Sequence, residues 1–331
     1  MTSVDRSPRA GDGLASPARG STRRAAARTG PPRKAPAGGA RRGHDGWWPV
    51  LFVLPTMFGV VLFYLWPIVQ TGWFSFTEWG AFGGQTWVGT ENYVRLASDP
   101  DLGTAIVNTL VYTGIVLLGI PIAMVVASLL SRPGMRFTAF YRVLYFMPYV
   151  AMPTAVAMVW RLIFNGDFGV LNWALGLVGV DGPAWTSTPG FALVAVSIVG
   201  LWTSLGFAII ILSAGLKNIP SELFEAASLD GASPWRQFRS VTVPLLTPSV
   251  FFVTVITVIN GFQLFDLLYA LMGQGNPAIQ ETQSLVYLFY NEAFLRNDKG
   301  FAAAIAMVIL LIVGAVTLLQ FRMQRRWVTY A

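Results

Sequence analysis

The sequence predicts an all-α polytopic membrane protein with about six transmembrane helices and a short cytoplasmic helix-turn-helix between the fourth and fifth. Three observations lead to this class. Apolar residues form 54% of the 331-residue chain and only 12% are charged, about half the charged share of an ordinary soluble domain. Six apolar stretches are long enough to cross a hydrocarbon core, which takes roughly 20 residues. Lys and Arg are also divided unequally between the segments that join these stretches.

The basic charge of the chain belongs to its N-terminal segment. Residues 1–45 contain ten basic and three acidic residues, which accounts for the whole net charge of +7. This segment is rich in Ala, Gly, Pro, Arg and Ser, a composition that cannot bury enough apolar surface to fold. We therefore predict a disordered basic cytoplasmic tail over 1–45 and a transmembrane domain over 46–331. No nucleic-acid partner is expected, although a basic tail leaves contact with nucleic acid or anionic lipid open as an alternative.

The six apolar stretches define the transmembrane domain and its orientation. The predicted spans cover residues 48–74, 104–131, 140–163, 190–215, 245–271 and 301–321. The tail, the second and fourth connections and the C-terminus together hold 19 Lys and Arg residues, against four on the other face. Because basic residues concentrate on the cytoplasmic side, both termini are predicted to be cytoplasmic in a multi-pass protein of a bacterial inner or plasma membrane.

The residues needed for most enzyme chemistry are missing from the sequence. The chain has no Cys, and its single His, His44, lies in the tail. No catalytic residue and no metal site is therefore predicted. The sequence also lacks the G-x-x-x-x-G-K-[ST] loop that cradles nucleotide phosphates, so no cofactor is expected to bind this chain.

The connection between the fourth and fifth spans reads as two short helices. Ser221 is a candidate N-cap, and Glu222 and Glu225 favour a helix N-terminus. Gly231 can end the first helix, and Pro234 can start the second. Periodicity alone also allows an amphipathic connector that lies on the membrane surface.

The residue pattern of this connection separates these interpretations. Glu225-Ala226-Ala227, Gly231 four residues later, then Val241 and Val243-Pro244 resemble the signature loop of permease subunits of binding-protein-dependent ABC importers. In that family the loop forms the coupling helices that dock into a cytosolic ATPase. The resemblance implies that the ATPase-coupling residues are Glu222, Glu225, Ala226, Ala227, Asp230, Gly231 and Pro234.

The resemblance extends over residues 48–330 and is closest to the maltose and glycerol-3-phosphate branch, as the first of two permeases. The similar runs are 87–93, 141–149, 160–165, 167–172 and 290–294, whereas 273–277 departs from a tighter Gly-Gly-Pro stretch. This branch implies import of a sugar, oligosaccharide or sugar derivative. It also implies a second homologous permease, a cytosolic ABC ATPase dimer that holds ATP and Mg, and an extracytoplasmic solute-binding protein.

Polar residues inside two spans are candidates for the solute path. An intramembrane polar side chain is costly and points to function. Amides and hydroxyls can bind sugar hydroxyls, and aromatic rings can face the sugar ring. The substrate-path candidates are Trp202, Ser204 and Phe207 in the fourth span and Thr257, Asn260, Gly261 and Gln263 in the fifth. Hydrogen bonding between helices is the alternative role for the polar members.

Two other classes of membrane protein are alternatives to the permease. An ion-coupled secondary transporter working without an ATPase needs buried charges or unwound helices. Only Asp266 and Arg161 approach the spans, both near the predicted membrane edge. A membrane-embedded enzyme is disfavoured because the chain offers no nucleophile and base pair. The sequence thus favours a transport subunit that is not itself an enzyme.

Overall fold

The computed structural model describes residues 48–80, 83–132 and 134–327, so the predicted tail over 1–45 lies outside the described residues. The chain divides into two units, residues 1–56 and residues 57–331. In the first unit the described residues, 48–56, are helical. The second unit contains the features discussed below.

The described residues form α-helices joined by short connections, with three π-helical turns and one two-stranded sheet. The helices are α1 (Trp48–Val60), α2 (Trp66–Phe74), α3 (Glu91–Ser98), α4 (Pro100–Leu117), α5 (Gly119–Leu130), α6 (Thr138–Val150), α7 (Pro153–Ile163), α8 (Val170–Gly176), α9 (Phe191–Lys217), α10 (Ser221–Leu229), α11 (Pro234–Gln237), α12 (Val243–Leu245), α13 (Thr247–Phe262), α14 (Asp266–Met272), α15 (Ile279–Thr282), α16 (Leu285–Tyr290) and α17 (Lys299–Trp327). The strands are β1 (Thr77–Trp79) and β2 (Gln85–Trp87), and the π-helical turns are Val61–Leu65, Phe238–Thr242 and Asn291–Leu295.

Residues 48–80, 83–132 and 134–327 contain six candidate membrane spans, by length and composition, when each bent helix pair is taken as one span. Four are long apolar helical segments, namely Pro49–Phe74, Pro100–Leu130, Phe191–Lys217 and Lys299–Arg325. Two are pairs of helices that bend sharply, Thr138–Val150 with Pro153–Ile163 and Pro234–Leu245 with Thr247–Phe262. The predicted all-α membrane fold with about six spans is confirmed.

The third span is broken where a continuous helix over 140–163 was predicted. α6 and α7 meet at 97°. Ala151 and Met152 have extended backbones, with ψ of 144° and 130°. Because Pro153 follows, the helical conformation of Met152 is sterically disfavoured, and the helix ends before the proline.

The fifth span is also interrupted, although one helix was predicted over 245–271. The chain bends by 66° where α12 meets α13. Pro248 has no N–H for the carbonyl of Pro244, and the hydroxyl of Thr247 donates to that carbonyl instead at 2.8 Å. α13 then ends at Phe262, and a separate helix, α14, begins at Asp266.

A small β-hairpin follows the first span and was not predicted. Thr77 pairs with Trp87 and Trp79 with Gln85 in antiparallel register. The Asn92 amide of α3 donates to the carbonyls of Ser75 and Thr77, each at 3.0 Å, and so attaches the first strand to α3.

The core forms around α9, which packs against α4, α5 and α6. Its contact faces carry small buried residues such as Ala192, Ala195 and Ala208. Small residues let helix backbones approach closely in membrane bundles. A second close approach joins α13 to α4 at Gly261. A Cβ at this position would overlap the hydroxyl of Thr113 in α4.

Candidate functional site: a helical loop and an intramembrane cavity

The loop between α9 and α13 forms the two short helices that the sequence predicts, with one correction. Ser221 is not the N-cap of α10; the N-cap is Pro220, and no side chain caps this end. Pro220 has an extended backbone, with φ of −57° and ψ of 134°, so the helix begins immediately after it. Ser221 therefore occupies the first helical position.

Gly231 ends α10 in a left-handed conformation, with φ of 72°. The N–H of Ala232 donates to the carbonyl of Ala227 at 2.9 Å, and the N–H of Gly231 donates to the carbonyl of Ser228 at 3.0 Å. These two bonds form a Schellman motif, which satisfies the last carbonyls of the helix. The turn therefore requires a residue that tolerates positive φ.

The turn and α11 are fixed to α10 by side chains. Gln237 donates its amide to the hydroxyl of Ser228 and to the carbonyl of Ala232, both at 3.1 Å. Ser233 caps α11 by accepting from the N–H of Arg236 at 3.4 Å. The rings of Trp235 and Phe238 stack with centroids 5.5 Å apart. The two helices thus form one unit, which we call the loop hairpin (residues 221–238).

The predicted coupling residues lie on the surface of the loop hairpin. All are exposed except Ala227, which is half-buried; the exposed members are Glu222, Glu225, Ala226, Asp230, Gly231 and Pro234. Three large apolar side chains of the loop hairpin that were not among the predicted coupling residues are also exposed, Leu229 at 90%, Trp235 at 69% and Leu223 at 43%. The sequence signal for Leu229 and Trp235 was their position within two residues of Gly231 and Pro234.

A cavity of about 890 Å³ lies between the loop hairpin and the neighbouring ends of α5 and α9. Val125 and Arg132 line it from the α5 side, and Leu216 lines it from α9. Glu225 and Pro234 of the predicted coupling set also face it. The hairpin therefore stands away from the spans and does not pack flat against them.

A second cavity, of about 230 Å³, lies where the broken third span meets α4, α9 and the end of α13, and we call it the span cavity. Asn260 and Gln263 line it, as two of the seven predicted path residues. The remaining lining residues are Tyr112, Pro148, Tyr149, Ala151, Pro153, Val156, Thr203, Leu264, Phe265, Asp266 and Leu267. Tyr112, Tyr149 and Asp266 were not among the path candidates.

The amides of Asn260 and Gln263 are exposed at the span cavity. Within the described part of the chain, neither side chain has a hydrogen-bond partner. Gln263 is the C-cap of α13, so the helix end carries its side chain to the rim. Among the described residues, these two amides therefore make no hydrogen bond to another helix.

The other five path candidates do not line the span cavity. Trp202 packs edge-on against Trp160 with centroids 5.5 Å apart. The hydroxyl of Ser204 donates back to the carbonyl of Leu201 at 2.9 Å. Thr257 and Gly261 are buried in the bundle. Phe207 lies one contact away, stacked on the cavity residue Tyr149 with centroids 5.3 Å apart.

An aromatic group adjoins the span cavity beside Asp266. Phe265, which lines the cavity, contacts Tyr290 at 4.9 Å and stacks on Tyr269 at 5.4 Å between ring centroids. The amide of Gln274 donates to both tyrosine hydroxyls at 3.1 Å. The sequence placed Gln274 in a segment that departs from the family pattern, and here this residue links two rings.

The sequence resembles known transport proteins over most of its length. Residues 115–329 match the family described as "Binding-protein-dependent transport system inner membrane component". The probable ABC transporter permease protein YesP of Bacillus subtilis is 35% identical over 287 residues, which cover 84% of this chain and 91% of YesP. The sn-glycerol-3-phosphate transport system permease protein UgpA of Pectobacterium atrosepticum is 31% identical over 291 residues, 86% of this chain and 97% of UgpA.

Two solved structures share the fold. One is a bacterial ABC transporter involved in the import of the acidic polysaccharide alginate, with a TM-score of 0.75 and 21% identity over 85% of this chain and 96% of that chain. The other is the bacterial alginate ABC transporter in complex with an alginate pentasaccharide-bound periplasmic protein. Its TM-score is also 0.75, with 20% identity over 85% of this chain and 94% of that chain.

Proposed function

Because this chain belongs to the family of binding-protein-dependent transport system inner membrane components, we propose that it carries a sugar or sugar derivative across the membrane as one permease of an ABC importer. A relative named for sn-glycerol-3-phosphate and a fold neighbour that imports alginate support a carbohydrate-like solute. The ion-coupled secondary transporter finds no support in these comparisons.

The loop hairpin is the observation that carries the mechanism. It is internally fixed by the Schellman turn at Gly231 and by the Gln237 amide, so it can transmit a displacement as one body. It also presents Leu229 and Trp235 to solvent. Exposed apolar side chains rimmed by polar residues are typical of protein interfaces. A cytosolic ATPase dimer fits this surface, with ATP and Mg bound there and not by this chain.

The span cavity supplies only part of the solute path. Its volume of about 230 Å³ is below the roughly 300–1,000 Å³ of typical ligand sites. The unpartnered amides of Asn260 and Gln263 face an open side of the chain. A second permease facing this side would complete the site, and a solute-binding protein would deliver the solute from outside the cell. In this arrangement both chain termini are cytoplasmic.

Copurification with the ATPase tests the proposal. In the assembled transporter, Glu225→Lys and Leu229→Asp should each reduce the retained ATPase at least about fivefold, because each places an unfavourable charge on the docking surface. Glu91→Lys is the matched control, since Glu91 is also an exposed glutamate of a short helix but lies outside the loop hairpin. It should retain the ATPase.

Full retention in both loop variants, with normal solute-stimulated ATP hydrolysis, would refute the docking role. Uptake that persists after deletion of the ATPase gene would restore the secondary-transporter alternative. The membrane-surface connector predicts little effect of Glu225→Lys, because added positive charge favours anionic lipid.

A further inference from the structure

We infer that the span cavity accepts a neutral, ring-bearing polyhydroxylated solute and disfavours anionic solutes such as phosphate esters and uronates. This inference rests on the proposed transport function and specifies its solute class. Two similar proteins are named for acidic solutes, sn-glycerol-3-phosphate and alginate. The preference for a neutral solute therefore comes from the residues of this chain and not from those names.

The charge of the lining is the first argument. Among the described residues that line the span cavity there is no Lys, Arg or His, and the one carboxyl group is that of Asp266. Arg161, in the last turn of the neighbouring α7, is exposed and does not line it. An anion moved out of water needs a cation or several donors to offset its lost hydration, and here it would meet a carboxylate of like charge.

The neutral hydrogen-bonding groups of the lining are the second argument. Asn260 and Gln263 each offer an amide N–H₂ and a carbonyl oxygen, with no partner among the described residues. Each hydroxyl of a sugar is both a donor and an acceptor. Paired amides can satisfy both functions at once, whereas a phosphate or carboxylate group can only accept from the amide N–H₂ groups.

The aromatic lining is the third argument. Tyr149 and Phe265 line the cavity from two different spans, and each is held by a second ring, Phe207 and Tyr290 respectively. Rings fixed in this way present apolar faces that suit the C–H face of a pyranose. An organic cation would also suit Asp266 beside aromatic rings. However, its charged group accepts no hydrogen bond, so the amide N–H₂ groups of Asn260 and Gln263 would lack a partner there.

Thiol modification in the assembled transporter reads the electrostatics of the cavity directly, because this chain has no Cys. Asn260→Cys is compared with Gly275→Cys, an exposed site where an added Cβ meets nothing within 4 Å. Each is treated with a cationic, an anionic and a neutral methanethiosulfonate, and labelling of this chain is followed by mass spectrometry. We expect the cationic-to-anionic rate ratio at Asn260→Cys to exceed that at Gly275→Cys about tenfold.

Asp266→Asn in the Asn260→Cys background should bring the ratio to within about twofold of the Gly275→Cys value. Asp181→Asn is the control, because Asp181 is exposed and lies outside the cavity lining; it should leave the ratio unchanged. A ratio at Asn260→Cys equal to or below the Gly275→Cys value would overturn the inference. So would an Asp266→Asn variant with an unchanged ratio.

Uptake into proteoliposomes separates this inference from the proposed function. Maltose and maltotriose serve as neutral probes, and glycerol-3-phosphate and an alginate oligosaccharide as anionic ones, each with the co-expressed solute-binding protein. ATP-dependent uptake of an anionic probe above the neutral ones would overturn the solute class and leave the importer function standing. Failure of even the neutral reagent to label Asn260→Cys, in both nucleotide-free and vanadate-trapped states, would overturn the path itself.

Discussion

The amide nitrogen of Gln237 in α11 lies 3.1 Å from the hydroxyl oxygen of Ser228 in α10. The same nitrogen lies 3.1 Å from the carbonyl oxygen of Ala232 in the turn. One side chain thus connects all three parts of the loop hairpin. A displacement of α10 would therefore be passed to α11 through these bonds.

Removing this connection should weaken the coupling of ATP hydrolysis to transport more than it weakens binding of the ATPase. Gln237→Leu loses two hydrogen bonds, each contributing about 1 kcal/mol, but leaves the exposed surface of α10 intact. We expect the ATPase to stay bound while the ATP hydrolysed per solute transported rises several-fold. Ser228→Ala, which loses one of the two bonds, should show a smaller rise. An unchanged ratio in both variants would mean that the hairpin does not act as one body.

Substitution of Gly231 should act through the backbone alone. A Cβ at this position meets nothing within 4 Å, but φ is +72°. Gly231→Val should cost about 1–2 kcal/mol locally and reduce ATPase retention, because a left-handed conformation strains a residue with a Cβ. Gly231→Asn should retain far more ATPase, since Asn tolerates this conformation. Equal retention by the two variants would remove the conformational explanation.

The contact between Gly261 and Thr113 should appear as an energetic coupling between α13 and α4. Gly261→Ala places a methyl group against the Thr113 side chain and should destabilise the protein by about 1–3 kcal/mol. Thr113→Ala removes two of the three atoms that the methyl would meet. The double variant should therefore melt at a higher temperature than the sum of the single changes predicts. Additive effects would show that the helices relax apart.

Stability should depend on pH through Glu292, which lies between the fifth and sixth spans and is fully buried. One carboxylate oxygen accepts from Arg296 at 2.7 Å. Burial raises the pKa of this carboxyl above its ordinary value of 4.5, despite the opposing effect of Arg296. The folded protein therefore holds the proton more tightly than the unfolded chain, and this contribution to stability is lost as pH rises from 4.5 through the folded pKa.

Thermal melting between pH 4.5 and 7.5 measures this contribution as a difference between variants. In Glu292→Gln, the part of the fall in melting temperature with rising pH that comes from this carboxyl should disappear. Glu91→Gln, a change at an exposed carboxylate, should show the same fall as the native protein. Parallel profiles for the native protein and Glu292→Gln would show that this carboxyl does not titrate differently on folding.

Topology is predicted from the 19-to-4 division of basic residues. Thr90 and Gly275 are both exposed and lie in segments predicted to face outward. Cys at either position should react with an impermeant maleimide added to intact cells. A Cys placed in the loop hairpin at Ser233 should react only after the membrane is opened. The reverse pattern would invert the orientation.

Hydropathy and turn chemistry predicted the number of spans and the end of α10 at Gly231, because both depend on local sequence. The break at Met152 also had a local signal in Pro153, but prolines occur in continuous membrane helices too, where neighbours satisfy the freed carbonyl. The hairpin over 77–87 had no apolar alternation long enough to predict strands. Its attachment depends on Asn92, which reaches it from another helix.

The sequence predicted only some of the residues that line the span cavity, because the others are brought there by packing. Asn260 and Gln263 stood out as amides in an apolar run, whereas Tyr112 and Tyr149 are ordinary residues of such runs. Only packing brings those two tyrosines, from α4 and α6, to one cavity. Ser204 stood out as a polar residue in a span, but a hydroxyl can bond its own helix, as this one does with the carbonyl of Leu201.

The break in the third span has a consequence for how the solute preference can change. Pro153 has no N–H, so the carbonyl of Tyr149 lacks the partner that a continuous helix would give it. This interruption of the helix is a property of the backbone, so replacing a side chain that lines the cavity does not remove it. Under the proposed transport function, mutations can therefore exchange the amides, rings or carboxylate that a solute meets, while the bend that brings α6 and α7 to the cavity stays in place.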